Sequence, residues 1–399
     1  MGLNSSFFLV NELYNLSMRS YFITIALLFL AWRILLFVPL FASEAFLLPR
    51  IDYGYTLFLY FLEKGSILSN FLLYPFANFD GAYYLLIAAK GYTVNAGFFP
   101  LFPLSIHVAT WLFNAQSFGV AQYFLANFLV GAYFLSALII FYKLLRIDYK
   151  KSIAIWSIFF LLIFPTSFFF AGIYPESLFL FLSLLTFYFA RKKNWLLAGI
   201  TGLLLSATRI VGIAIFPALL YEYFKNEKNR SLFKLLSIFL TPLGLIAYGF
   251  YSFLKWGNPL YFIEAQGNFQ NNRTVNSIIL LPQTLFRYIK ILFTVSPTIY
   301  EWWVAFFEFS FFIFTLSLLY VGWRKKVRFF YLLFGLLCLF IPSLTGTLSG
   351  IPRYVLIIFP IFITLALIKN KFIKVIYCVI SITLLFIFFM LFSKGYYIS

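Results

Sequence analysis

Charge is scarce in this chain: Asp, Glu, Lys and Arg make up 11% of its 399 residues, against 63% hydrophobic and 24% aromatic. A soluble domain carries about 25% charged residues, so that class is excluded. Histidine occurs once, as His107, and cysteine twice, as Cys338 and Cys378, both in apolar runs. Neither a Cys/His metal cluster nor a Cys–His dyad assembles from that inventory, and no disulfide framework does. No metal site is read from cysteine and histidine. What remains for chemistry is carboxylates, arginines, tyrosines and amides. Internal repeats, low-complexity tracts and soluble domains are also lacking, so 1–399 reads as a single domain.

What is abundant is apolar helix. Runs such as "YFITIALLFLAWRILLFVPLF" and "FIKVIYCVISITLLFIFFMLF" reach the roughly 20 residues that an α-helix needs to cross a hydrocarbon core of about 30 Å. The first, about 21–41, is too long for a signal-peptide core and its leading segment is barely basic, so it reads as a retained span. The net charge of +18 would suit nucleic acid if it were spread over one face. Instead it is concentrated in five short clusters between spans, around Lys143–Lys151, Arg191–Lys193, Lys225–Lys234, Arg324–Arg328 and Lys369–Lys374. That is the pattern of cytoplasmic loops under the positive-inside rule, and a nucleic-acid partner is excluded.

Placing those clusters inside dictates the crossings. The segment 194–224 lies between two of them and must go out and return, so it predicts two short helices meeting near Arg209. The whole pattern predicts an all-α integral membrane protein of about 11 transmembrane helices, N-terminus inside and C-terminus outside. The spans fall at about 21–41, 120–142, 152–171, 175–190, 195–208, 210–224, 232–254, 301–322, 329–346, 352–368 and 372–392. Two extracytoplasmic loops, about 42–119 and 255–300, are aromatic and amphipathic, which predicts helices lying along the membrane surface.

On this topology the outer face holds Asp80, Glu176, Arg209, Glu264, Arg273 and Arg353, with Glu44, Arg50 and Asp52 less placed. Charges at a bilayer are costly and face a cavity or a partner, so each is a candidate site residue. Each also has a plain structural reading. Asp80 caps the helix of "DGAYYLLIAAKGY", with Gly91 just past its end. Glu176 is an acid in a first helical turn. Arg353 snorkels to headgroups and Arg209 anchors to a lipid phosphate. His107 reads as a structural histidine, and Arg33, inside the first span, needs a carbonyl or carboxylate partner. Taken together, outward arginines beside carboxylates suit holding a lipid-linked phosphate, because guanidinium binds phosphate in a bidentate fashion and keeps its charge. A carboxylate nearby can take the proton of an attacking hydroxyl.

Five stretches in order, "FDGAYYLLIAAKGY" with "FFPLFPL", then "FPTSFFFAGIYPESLF", "SATRIVG", "WGNPLYFIEAQ" and "IPRYVLIIFPIF", extend from Phe79 to Pro360. They resemble the PIG-V-like (GPI mannosyltransferase II-like) mannosyltransferase family of the GT-C superfamily. The resemblance implies a GT-C-like membrane bundle that transfers a sugar, typically mannose, from a polyprenyl or dolichyl phosphate donor. The acceptor would be a glycan or glycolipid hydroxyl on the extracytoplasmic face, with inversion and no cofactor beyond the donor. Asp80 would be the catalytic base or an acceptor-orienting carboxylate. Arg209, Arg353, Glu176 and Tyr174 would bind donor phosphate and sugar, and Glu264, Gln266 and Arg273 would belong to an acceptor loop. Phe79, Asn258 and Phe269 depart from residues frequent in the family, the last two bearing on acceptor recognition. The membrane would be the plasma membrane in a prokaryote and the endoplasmic reticulum in a eukaryote. Open beside this reading are a secondary transporter or lipid flippase that uses Asp80 or Glu176 for ion or proton coupling, and a non-catalytic subunit of a membrane complex.

Overall fold

A computed structural model describes residues 21–50, 72–92, 96–115, 117, 119–268, 274 and 277–398. Among the described residues the chain is all-helical. Four helices are long and apolar enough to cross a membrane: α1 (Tyr21–Phe46), α4 (Val120–Asp148), α12 (Tyr300–Arg324) and α15 (Lys371–Ser393). Each leaves a face of leucine, isoleucine and phenylalanine uncovered, such as Leu27, Leu30 and Ile34 on α1 and Val375, Val379 and Ile380 on α15. A multi-pass membrane protein presents such faces to lipid, where they cost nothing.

Between α1 and α4 lie α2 (Asp80–Lys90) and α3 (Leu101–Leu112), in the first of the two long loops. After α4 come α5 (Lys151–Leu162), α6 (Glu176–Arg191), α7 (Trp195–Ser206) and α8 (Ile215–Asn226). The second half holds α9 (Leu232–Ile238), α10 (Leu243–Trp256), α11 (Leu281–Thr294), α13 (Phe329–Ser343) and α14 (Pro360–Leu367). A helix or helix pair underlies each of the eleven expected crossings, and the turn between α7 and α8 falls at Arg209 as expected.

Three expected spans are interrupted, each near a proline. The 232–254 span is a pair, α9 and α10, bent by 49° with Pro242 in the break, which by length and composition makes a fifth crossing. The 152–171 span stops at Leu162, ahead of Pro165, and continues as a 3-10 turn over Ser167–Phe170. Proline disfavours helical backbone in the residue before it. The 352–368 span is a helical turn, Ile351–Tyr354, a 3-10 turn, Val355–Ile357, and then α14. Nearly every side chain from Val355 to Ala366 is buried, so this segment is core of the bundle, not lipid-facing.

The core is built on α6, which packs along α4 on one side and α7 on the other, while α14 fits against α5 and α12. Close approach decides the fit of α7 on the bent pair. A Cβ on Gly199 would stand 1.8 Å from the Ser237 carbonyl oxygen, and one on Gly244 would stand 2.1 Å from that of Leu203. Three of the basic clusters converge at one end of the bundle. There Asp148 accepts from Arg191 and from Arg328, at the C-terminal end of α6, while Glu176 begins the same helix at the other.

Candidate functional site

The site lies where the start of α2, the loops before α6 and after α7, and the Ile351–Tyr354 turn meet. Asp80 does not cap α2. The cap position is Phe79, with no side-chain cap bond, and Asp80 is the first helical residue. Phe79 has φ 57°, a left-handed conformation that costs a residue with a Cβ about 1–3 kcal/mol. Its ring packs against Phe392 at 5.4 Å and Tyr397 at 5.9 Å, which holds the turn and aims the carboxylate away from its own helix. Gly91 does lie just past the C-terminus of α2, at φ 70°. The neighbouring backbone is pinned across the chain. Asn78 donates to the Phe392 carbonyl at 2.8 Å, the Tyr174 hydroxyl donates to the Asn78 carbonyl at 2.5 Å, and Ile173 N–H donates to Phe76 at 2.7 Å.

Four of the charges expected on the outer face form one continuous network. Arg353 Nη1 donates to Asp80 Oδ2 at 2.6 Å, and Arg353 Nε lies 3.3 Å from Glu176 Oε1. Arg209 Nη1 donates to that same Oε1. Glu176 is fully buried at the first position of α6, where the helix dipole also favours an acid. Its second oxygen, Oε2, has no hydrogen-bond partner among the described residues. Asp80 Oδ1 is likewise without one, and the Asp80 side chain keeps 26% of its surface exposed.

Aromatic faces complete the clamp. The Arg209 guanidinium sits 4.5 Å over Tyr354, and that of Arg353 lies 5.3 Å from Tyr174 and 5.6 Å from Phe169. Such contacts contribute about 0.5–2 kcal/mol each and are strongest where water is excluded. Thr166 Oγ1 donates to the Pro352 carbonyl at 2.7 Å, which fixes the turn carrying Arg353.

The network opens on a cavity of about 190 Å³. Asp80, Arg209 and Arg353 are the charged residues among those lining it, and Tyr84, Tyr174, Tyr354, Tyr397, Thr208, Gln266 and Thr274 supply polar atoms. Burial pushes the phenols of Tyr84 and Tyr174 well above the ordinary tyrosine range, so both stay protonated near neutrality. Asp80 is the carboxylate among the described residues that line the cavity. Next to it, between α12 and α15, is a second cavity of about 350 Å³ lined by aliphatic and aromatic side chains, among them Trp303, Phe307, Leu384 and Phe388. Tyr397 and Ile398 line both cavities, and Pro352 of the second precedes Arg353 of the first.

The expected acceptor loop divides. Gln266 lines the cavity and donates to the Gly97 carbonyl at 2.9 Å. Glu264 is exposed and away from the cavity lining, accepting at 2.6 Å from Asn258, one of the residues that depart from the family pattern. Arg273 lies outside the described residues, as does Asp52. Glu44 pairs with Lys394 at 2.7 Å and Arg50 with Glu301 at 3.2 Å. His107 is structural, its Nδ1 donating to the Ala88 carbonyl at 2.8 Å. Arg33 finds a carbonyl, that of Ala171 at 3.1 Å, together with the Asn127 side chain and the face of Phe76 at 4.5 Å. Among the described residues no three of His, Cys, Asp and Glu converge in a way that would hold a metal.

Sequence reasoning missed Glu308. It is buried inside α12 and accepts from the Tyr288 hydroxyl at 2.5 Å, and that hydroxyl accepts from Leu348 N–H at 2.9 Å. The pair steadies the loop that leads into Arg353. An acid inside an apolar span was the available signal.

No protein-family model matches the chain, and no curated protein does. Solved structures similar to it include three of the Archaeoglobus fulgidus oligosaccharyltransferase. With a tethered acceptor peptide containing the NVT sequon, the TM-score is 0.42 at 16% identity, covering 79% of this chain and 51% of that one. The complex with Zn and sulfate gives 0.39 at 18%, covering 82% and 49%, and the apo form 0.40 at 15%, covering 92% and 56%. This chain spans about half the length of that enzyme. The PIG-V-like resemblance rests on the five motifs.

Proposed function

We propose that the protein is a membrane glycosyltransferase that moves a sugar, by resemblance mannose, from a polyprenyl phosphate to a hydroxyl of a glycan or glycolipid. The observation that carries this reading is the cavity-facing network: a carboxylate with one unengaged oxygen beside two arginines set by a buried acid. The donor phosphate lies against Arg353 and Arg209, displacing Asp80 from Arg353. The polyprenyl chain follows the apolar cavity between α12 and α15. Asp80, so released, takes the proton of the acceptor hydroxyl. The acceptor oxygen bonds to the anomeric carbon as the carbon–oxygen bond to phosphate breaks. The electron pair leaves on the phosphate, where two fixed positive charges stabilise it. A single displacement of this kind inverts the anomeric centre. Phosphate is a good leaving group, so this reading needs no strong general acid.

The test is to incubate purified protein with radiolabelled polyprenyl-phosphate mannose and a membrane lipid extract. A new labelled glycolipid or glycan is expected. Movement of label across the bilayer without a product would favour a flippase or transporter, and no turnover with any polyprenyl-phosphate sugar would overturn the proposal.

A further inference from the structure

We infer that Glu176 sets the charge capacity of this site and selects donors whose phosphate carries a single negative charge over those with a diphosphate. The inference rests on the glycosyltransferase reading above and extends it to a specificity rule.

The argument is electrostatic. Two arginines lining one cavity would by themselves match a doubly charged anion. Here both guanidinium groups reach the same oxygen of Glu176, a residue with no exposure to solvent. One positive charge is therefore cancelled permanently from behind the cavity. Asp80 differs, because it is partly exposed and holds Arg353 through one oxygen, so an arriving anion can replace it. Once Asp80 has moved aside, the described charged groups leave one net positive charge, the complement of a phosphodiester. A diphosphate held by the same two arginines would bring a second negative charge towards the buried Glu176, and like charges repel more strongly away from bulk water. Glu176 is thus a specificity residue that acts through the arginines and never touches the ligand.

The test compares two probes that share one lipid tail, farnesyl methyl phosphate with one negative charge and farnesyl methyl diphosphate with two. Binding to the full-length protein in nanodiscs is measured at fixed salt. The wild type is expected to prefer the monophosphate by about tenfold or more. In Glu176→Gln the ratio is expected to fall to about one or to invert, with diphosphate affinity rising. Glu176→Asp, which keeps the charge, is expected to restore the wild-type order and serves as the control for misfolding. Repeating the measurements in an Arg273→Gln background keeps the charge of that residue out of the comparison. Equal binding of both probes by the wild type, or a ratio unchanged in Glu176→Gln, would overturn the charge rule alone. Binding of neither probe by the wild type would overturn the lipid-phosphate reading and this rule with it.

Discussion

Two ion networks stand at opposite ends of α6, and they are built from the same inventory of two arginines and two acids. At the basic end, Asp148 Oδ1 accepts from Arg191 and Arg328 at 2.7 Å each, and Oδ2 accepts from Arg328 Nε at 2.8 Å. Glu222 likewise has both oxygens engaged, one 3.6 Å from Arg191 and the other accepting from Asn226 at 2.7 Å. At the cavity end, one oxygen of each acid is unengaged, and the arginines face aromatic rings and open space. Both networks are electrically neutral at rest, so charge does not distinguish them. What differs is how completely the acids are satisfied. Saturated pairs lock helices α4, α6, α8 and α13 together, whereas unsaturated ones keep capacity for a ligand.

The contrast can be broken first at the two aspartates. Asp80→Asn is expected to lower sugar transfer by about 10²–10⁴-fold, the usual range for losing a general base, with the amount of folded protein unchanged. Asp148→Asn should keep transfer within a few-fold of wild type. Near-normal transfer by Asp80→Asn would remove it from the mechanism.

The arginines give the next largest effect. Arg353→Gln leaves the buried Glu176 with one partner in place of two, and breaking a buried pair costs about 3–5 kcal/mol. It should lower the melting temperature in detergent and also abolish farnesyl methyl phosphate binding. Arg328 is one-third exposed, so its pair is screened by water, and Arg328→Gln should cost about 1 kcal/mol or less with no change in ligand binding. Equal destabilisation by the two changes would erase the proposed distinction.

Smaller effects sharpen the geometry. Tyr174→Phe removes the hydroxyl bond to Asn78, worth about 1 kcal/mol. Because Asn78 leads into Phe79 and Asp80, the change should reduce kcat more than it raises KM. Gln266→Ala removes the bond to the Gly97 carbonyl at the cavity rim and is expected to shift the acceptor KM by about two- to fivefold, with the donor KM unaffected. A shift in the donor KM instead would move Gln266 to the other substrate.

Much of this is legible in the sequence. Apolar length and the positions of the basic clusters predicted α1, α4, α12 and α15. The requirement that 194–224 leave and return predicts a turn near Arg209, which is where it falls. Asp80, Glu176, Arg209 and Arg353 were each suspect for being charged in an apolar setting, and the fold does join them. Harder to read was anything decided by contacts distant in sequence. Capping preference alone assigned Asp80 to the cap, but Phe79 takes that position because Phe392 and Tyr397, more than 300 residues away, hold it there. The interruptions near Pro165, Pro242 and Pro360 carried a local signal that apolar length overrode. Glu264 and Gln266 looked equivalent in sequence, and only the turn at Ala265–Asn268 separates the one that faces the cavity from the one that does not.

The length of α6 has a consequence of its own. Its 16 residues rise about 22 Å along the axis, less than the roughly 30 Å thickness of a hydrocarbon core. On the proposed reading, a basic end at one membrane surface would set the cavity several ångströms short of the other, at the depth of acyl chains. On the proposed reading, a donor must lower its headgroup to reach Arg353, or the bilayer must thin around the protein. Both become harder as the surrounding lipids lengthen. On that reading sugar transfer is expected to fall as the acyl chains of the surrounding bilayer lengthen, which turnover in nanodiscs of defined lipid length would measure.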